Sequence, residues 1–338
     1  MKKHLITMVL CACTFLPLSF YSCSQGSIPS NEGPATAKSY TVHLGFGGEI
    51  TDISTSPLMR AEAADSDIYG IQVYSCPDDT ASNANSTYTY YAYGLFNDKS
   101  DMTISLLQGY KYRFACTMVV NGKNKLANSY MNGYSEYGAP FGVENSEAYL
   151  NNQFTYSTSN YFVGLSYGSA ETNDYYFCER PNIDRYYGEL TDFTPAENKT
   201  ATILMKRAVF GAKFIAEGLT GGKLKISMSE APDIYIAYPD TTVQNIFTFD
   251  NIYGAWAQDN YSETITVSIS WTKADGAVVP LATQDVTFKR NMLTTITVKV
   301  NDATIKNGIS INTESTSMGD GGSVTINGGS SDSTKVNP

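Results

Sequence analysis

From residue 40 to 46 the chain alternates, with Tyr40, Val42, Leu44 and Phe46 on one side and Thr41, His43 and Gly45 on the other. A period of two sends successive side chains to opposite faces, so this stretch predicts a strand with one face buried. The same signature recurs at 68–74, 87–96 and 102–106, with Cys76-Pro77-Asp78-Asp79 as a turn. It is clearest at 110–120, where Tyr110, Tyr112, Phe114, Cys116, Met118 and Val120 share the inward face and Lys111, Arg113 and Thr117 take the other. Asn121-Gly122 then closes the strand with residues that tolerate positive φ.

Regular patterning fades between 123 and 195, a region rich in Asn, Gly, Ser and Tyr. So long a structureless loop is improbable in a folded domain, and short strands with ordered loops packed over the first sheet are expected. A strand pattern reopens at 200–216 and continues at 223–229, 234–238, 246–249 and 264–272, the spacing of a β-sandwich. In 264–272, Ile265, Val267, Ile269 and Trp271 point inward. Ala274-Asp275-Gly276 supplies a reversal, and 286–288 with 293–300 reads as a hairpin about Arg290-Asn291. Stripes at helical period are missing, so the fold class is mainly β. The expected organisation is a β domain over 40–196 and a second over 197–312. A polar tether at 23–39 precedes them, and a Gly/Ser-rich tail at 313–338 follows, in which 323–327 is the one strand-like segment.

The 338 residues are 42 % hydrophobic, enough for a sizeable core. The formal charge of −10 would repel a phosphate backbone, which argues against nucleic acid as a partner. Two histidines, His4 and His43, leave no Ser/His/Asp or Cys/His arrangement, so an enzyme is not expected. No Cys/His cluster has zinc spacing. Asp65-Ser66-Asp67 and Asp78-Asp79 lack the ordered oxygen spacing of a calcium loop and read as acidic turns, so no metal or cofactor is expected. Beyond the leader, Cys23, Cys76, Cys116 and Cys178 remain. The last three read as buried free thiols, with one disulfide among them as the alternative.

The first residues set the location. Lys2 and Lys3 precede an apolar run of about 14 residues, too short to cross a bilayer core of roughly 30 Å, so 1–22 reads as a secretory signal. Its ending, Ser22-Cys23, resembles the lipobox of bacterial lipoproteins, in which the cysteine is acylated and becomes the new N-terminus; an ordinary signal cut near Ser22 is the alternative. The resemblance implies anchoring to the outer membrane through lipid on Cys23, each buried methylene contributing about 0.8 kcal/mol.

Three further stretches carry a family resemblance: LLQGYKYRFACTMVVNG at 106–122, ATILMKRAVFGAKFIA at 201–216 and VTFKRNMLTTITVKV at 286–300. With the lipobox and the loop PLMRAE at 57–62, they resemble the fimbrillin-like lipoproteins, the type V pilin family. The resemblance implies two transthyretin-like antiparallel β-sandwich domains in tandem on a lipid-anchored, cell-surface protein. It also implies proteolytic processing at Arg60 and departure of the strand at 40–46, with the groove filled by a strand from another fimbrial subunit. Arg60 reads equally as a solvated loop arginine. A C-terminal donor would be a long alternating apolar segment, whereas this chain ends in Gly and Ser. An anchoring, accessory or tip role, or a lone adhesin with a host or bacterial surface ligand, therefore fits at least as well as a shaft subunit. The alternative is a surface glycan-binding lipoprotein of a polysaccharide-utilisation system. It would stack sugars on Tyr88, Tyr90, Tyr91 and Tyr93, on the loops at 130–137, or on Tyr186-Tyr187. Rings at strand spacing also serve as core or cross-strand pairs.

Overall fold

The structure, a computed structural model, describes residues 38–49, 66–78, 87–124, 130–131, 134–135, 141, 150–157, 182–228, 231, 233–300, 310–318 and 326–327. Cys23, Arg60 and Cys178 lie outside these residues. Strand β1, Ser39–Gly48, alternates as its sequence requires: Val42 and Leu44 are buried, Tyr40 and Phe46 half-buried, Thr41 and His43 exposed. There follow β2 (Ile68–Pro77), β3 (Thr89–Phe96), β4 (Thr103–Leu107) and β5 (Tyr110–Val119). The short β6 (Tyr130–Met131), β7 (Tyr134–Ser135) and β8 (Thr155–Tyr156) lead to β9 (Arg185–Phe193) and β10 (Thr200–Arg207).

The larger sheet runs β4-β1-β10-β9-β5-β2-β3-β8. Between β10 and β9 only Lys206 and Arg207 pair, with Tyr187 and Tyr186, so the sheet hinges there and closes on itself. Layer β4-β1-β10 then faces layer β9-β5-β2-β3, with Phe46 of β1 packed on Tyr69 of β2 at 5.0 Å between ring centroids. The core between them holds Val42, Leu44, Ile104, Ile203, Phe114 and Met118, among others. Tyrosines bridge the seam: the Tyr91 hydroxyl donates to the Ser105 carbonyl at 2.8 Å, and Leu107 N–H donates to the Tyr112 hydroxyl at 2.8 Å. A ring that buries its body and wets its tip suits that place.

The second half contains β11 (Val209–Glu217), β12 (Lys223–Met228), β13 (Ile234–Ala237), β14 (Thr242–Thr248), helix α1 (Ile252–Ala257), β15 (Ser262–Thr272), β16 (Val278–Lys289), β17 (Met292–Lys299), β18 (Ser310–Ser317) and β19 (Ile326–Asn327). Its sheets run β14-β11-β17-β18-β19 and β13-β12-β15-β16. Phe210 stands at the centre of their shared core, 4.7–5.5 Å from the rings of Phe247, Phe249 and Phe288. The connectivity of the first half is repeated. Layer β4-β1-β10 corresponds to β14-β11-β17, and β9-β5-β2-β3 to β16-β15-β12-β13. The pairings also match: β1 is parallel to β10 and antiparallel to β4, as β11 is parallel to β17 and antiparallel to β14.

The mainly β expectation holds, and several local readings change. Residues 200–216 are two strands in different sheets, because the chain passes from one core to the other at Ala208. The pair 286–288 and 293–300 is no hairpin: β16 bonds β15, β17 bonds β11, and Arg290-Asn291 turns the corner between layers, with Asn291 at φ 56°. β2 runs through the expected turn to Pro77, paired with β5. Thr117 is buried rather than outward-facing, and its hydroxyl meets the buried Arg185 guanidinium at 2.6 Å. β9 is a nine-residue strand inside the sheet, between β10 and β5, where short strands packed over the sheet were expected. β18 includes residues 313–317 of the expected tail and pairs with β17. Cys76 and Cys116 are buried free thiols, as expected, and burial pushes the Cys116 thiol far up.

Two outcomes follow. Phe210→Ala is expected to cost about 3–5 kcal/mol in urea unfolding, since three neighbouring rings cannot collapse into the space left. Burial raises the Tyr74 hydroxyl to about 12 and raises those of Tyr91, Tyr112, Tyr186 and Tyr187 further. Stability from these neutral phenols is complete below the unfolded tyrosine pKa of about 10 and is lost as pH climbs through the folded values. Ultraviolet titration should therefore show their phenolates appearing together with loss of the near-ultraviolet dichroism.

Candidate functional site

β1 is the middle strand of its layer. It pairs with β10 from His43↔Thr200 to Gly48↔Met205 and with β4 from Ser39↔Leu107 to His43↔Thr103. Extra bonds hold its margins: Gln108 N–H donates to the Lys38 carbonyl at 2.7 Å, and Leu44 N–H to the Met102 carbonyl at 2.9 Å. Its outward face is kept small near β10. A Cβ on Gly47 would lie 3.2 Å from Leu204 Cδ2, and one on Gly48, at φ +78°, 2.6 Å from the Met205 carbonyl oxygen. The strand thus shows a large apolar face to the core and glycines to its neighbour.

The residue that ends β1 is fastened to the second half of the chain. Glu49 takes a two-pronged contact from Arg290, Nη1 to Oε2 at 2.9 Å and Nη2 to Oε1 at 3.0 Å. The backbone N–H of Arg207 donates to the same Oε2 at 2.9 Å. The Arg207 side chain turns the other way and grips Asp184, Nε to Oδ1 at 2.7 Å and Nη2 to Oδ2 at 2.9 Å. Its Nη1 reaches Asn291 Oδ1 at 3.0 Å, and Arg290 Nη1 donates to the Arg207 carbonyl at 3.0 Å. One network therefore binds the end of β1, the entry to β9, the β10–β11 crossing and the β16–β17 corner. Burial works against the Arg207 charge, but the Asp184 carboxylate outweighs it and the guanidinium is held protonated.

The side chains singled out in the sequence serve mostly structural ends. Asp67 accepts the Asn121 N–H at 2.8 Å, and Asp78 pairs with Lys111 at 3.2 Å. Tyr88 donates to Asp192 at 2.9 Å, and Tyr90 lies against Tyr74 at 5.1 Å. Tyr91, Tyr93, Tyr186 and Tyr187 are buried, the core and cross-strand role rather than a sugar platform. Among the described residues no group of three His, Cys, Asp or Glu is placed to hold a metal. Glu49, Asp184 and Arg207 were missed. The available signal was Arg207 inside the apolar run at 201–216, since a charge at a buried position requires a partner.

Arg207→Met would strand the Asp184 carboxylate, whose side chain is 3 % exposed, and is expected to cost about 3–5 kcal/mol. Arg290→Met leaves a Glu49 that is 35 % exposed and can turn to water, at about 1–3 kcal/mol. Urea unfolding of the two variants should give that order.

No protein-family model and no curated protein matches the chain. Among solved structures it is similar to the fimbrial anchor protein Mfa2 of Porphyromonas gingivalis, at 9 % identity and a TM-score of 0.38, covering 86 % of this chain and 100 % of that one. It is also similar to the tip fimbrial protein Mfa3 of Porphyromonas gingivalis with a C-terminal truncation, at 9 % identity and a TM-score of 0.30, covering 76 % of this chain and 97 % of that one.

Proposed function

We propose that the protein is a lipid-anchored cell-surface component of fimbriae, or a related adhesin, that joins a partner subunit by exchanging strand β1. In this reading the signal at 1–22 is removed, Cys23 carries the lipid that holds the chain on the outer membrane, and cleavage at Arg60 frees β1. The doubled connectivity corresponds to two transthyretin-like domains in tandem. The observation that carries the reading is the position of β1 between β4 and β10, hydrogen-bonded on both sides. Its departure would leave two unpaired strand edges across a gap of roughly 9–10 Å, one strand wide and floored by apolar side chains. An incoming strand would need apolar residues at alternate positions, as at Val42 and Leu44, and small ones where Gly45 and Gly47 now pass β10. Segment Ser310–Ser317 is already taken up as β18 beside β17, which supports an anchoring or tip role over one that lends this segment to another subunit.

The test is exchange. A labelled peptide of residues 38–49 should enter the protein after trypsin-like cleavage at Arg60, displacing the native strand, and should not enter the uncut chain. A cleaved protein that keeps β1 and stays an inert monomer would overturn the reading.

A further inference from the structure

Tyr253 and Trp256 stand three residues apart on α1 and so share one face of it. Their ring centroids lie 5.6 Å apart with planes inclined by 55°. Tyr253 is 55 % exposed, and beside the pair Leu204 of β10 is 59 % exposed. Two elements, one from each half of the chain, thus place an angled aromatic pair, with Trp256 half-buried, and an exposed aliphatic side chain side by side. The Trp256 ring and the helix that carries the pair are fixed in advance. Trp256 Nε1–H donates to the Leu204 carbonyl at 3.1 Å, and the Trp256 ring meets Tyr187 edge-on at 6.1 Å. Asn251 caps the helix by accepting the Gly254 N–H at 2.8 Å. A Cβ on Gly254 would fall 2.6 Å from Asn251 and 2.7 Å from Tyr261, so the helix sits hard against its support. A ligand stacking here would lose little side-chain freedom.

The rim of this wall is ionic. Asp259, three residues beyond Trp256, pairs with Lys206 at 2.6 Å while its side chain is 78 % exposed. Lys206 shares the outward side of β10 with Leu204, two residues along the strand. A purely apolar partner would desolvate that ion pair without replacing its hydrogen bonds. A pyranose meets both demands, with a C–H face for the rings and hydroxyls that donate to the carboxylate and accept from the ammonium. The chain's charge of −10 disfavours an acidic polymer. We propose that Tyr253, Trp256, Leu204, Asp259 and Lys206 form a binding site for a neutral pyranose oligosaccharide. The proposal does not rest on strand exchange, although Leu204 pairs with Gly47 of β1, and it uses none of the tyrosines expected from the sequence to act as a platform.

The experiment is calorimetric titration of the full chain with hexaoses of glucose, xylose and mannose, and with a hyaluronan hexasaccharide as the acidic control. At least one neutral hexaose should bind, with a change in tryptophan emission. Tyr253→Ala, a surface change that should leave thermal unfolding unaltered, should weaken it by about fivefold or more. Tyr235→Ala, on β13 and 48 % exposed, should leave affinity unchanged. Absence of binding by all three neutral hexaoses, tighter binding of hyaluronan, or indifference to Tyr253→Ala would each overturn the proposal. So would sedimentation showing self-association of the native chain that Tyr253→Ala abolishes, since the face would then be a protein contact.

Discussion

The network around Arg207, anchored by its pairing with Asp184, links the two halves of the chain where they meet. A single residue, Ala208, separates a strand of one core from a strand of the other, and its own backbone bonds, its N–H donating to the Arg185 carbonyl at 2.8 Å and its carbonyl accepting the Phe249 N–H at 3.2 Å, hold the crossing from both sides. The two-pronged contact fixes its direction by tying the last residue of β10 to the entry of β9, while Asn291 and Arg290 reach in from the far corner. A buried ion pair contributes little net stability, because desolvation cancels most of the attraction. What it supplies is discrimination: any other packing of the corner leaves a charge buried and unmatched. The apolar contacts nearby, such as Ala115 and Tyr187 against the second core, would tolerate sliding that the charges do not.

Glu49 extends this arrangement to the strand whose departure is proposed. The contact with Arg290 is two-pronged: Glu49 is 35 % exposed and can turn to water, whereas the Arg290 side chain is 7 % exposed and would keep only the Arg207 and Asp259 carbonyls as acceptors. Asp184, at 3 % exposure, cannot turn to water at all. The network thus has a deeply buried half, Arg207 with Asp184, that defines the corner, and a partly solvated half, Glu49 with Arg290, that holds the chain after β1. That division is what a protein would require if one strand had to leave while both cores stayed folded.

How much the sequence disclosed follows from where each strand lies. β1, β5 over its first half, and β15 border solvent on one side, so their alternation is plain and their inward residues could be named. β9 was hidden because Arg185, Tyr186, Tyr187 and Gly188 are all buried, and a strand covered on both faces has no alternation to display. The Arg290-Asn291 reversal was visible as a turn. Whether such a turn closes a hairpin or crosses between layers depends on which sheet accepts the second strand, a tertiary choice that a two-residue motif does not encode. The Glu49 network lay beyond reach for a similar reason: its members are separated by up to 241 positions in the chain, and only the burial of Arg207 hints that a partner exists.

The repeated connectivity gives the proposed exchange a physical rationale. In each half the first strand, β1 or β11, runs between an antiparallel neighbour and the half's parallel closing strand, β10 or β17. This parallel pairing spans the greatest sequence separation in its half, so it forms against the largest loop-closure entropy and is held by side-chain burial more than by local connection. For β11 the strand is continuous with β10 through Ala208 and cannot leave without dismantling the crossing. β1 lies away from that crossing, and the residue after it, the partly solvated Glu49, ties it to the β16–β17 corner. Of two strands in equivalent positions, β1 is therefore the one on which the proposed exchange would leave the Ala208 crossing joined.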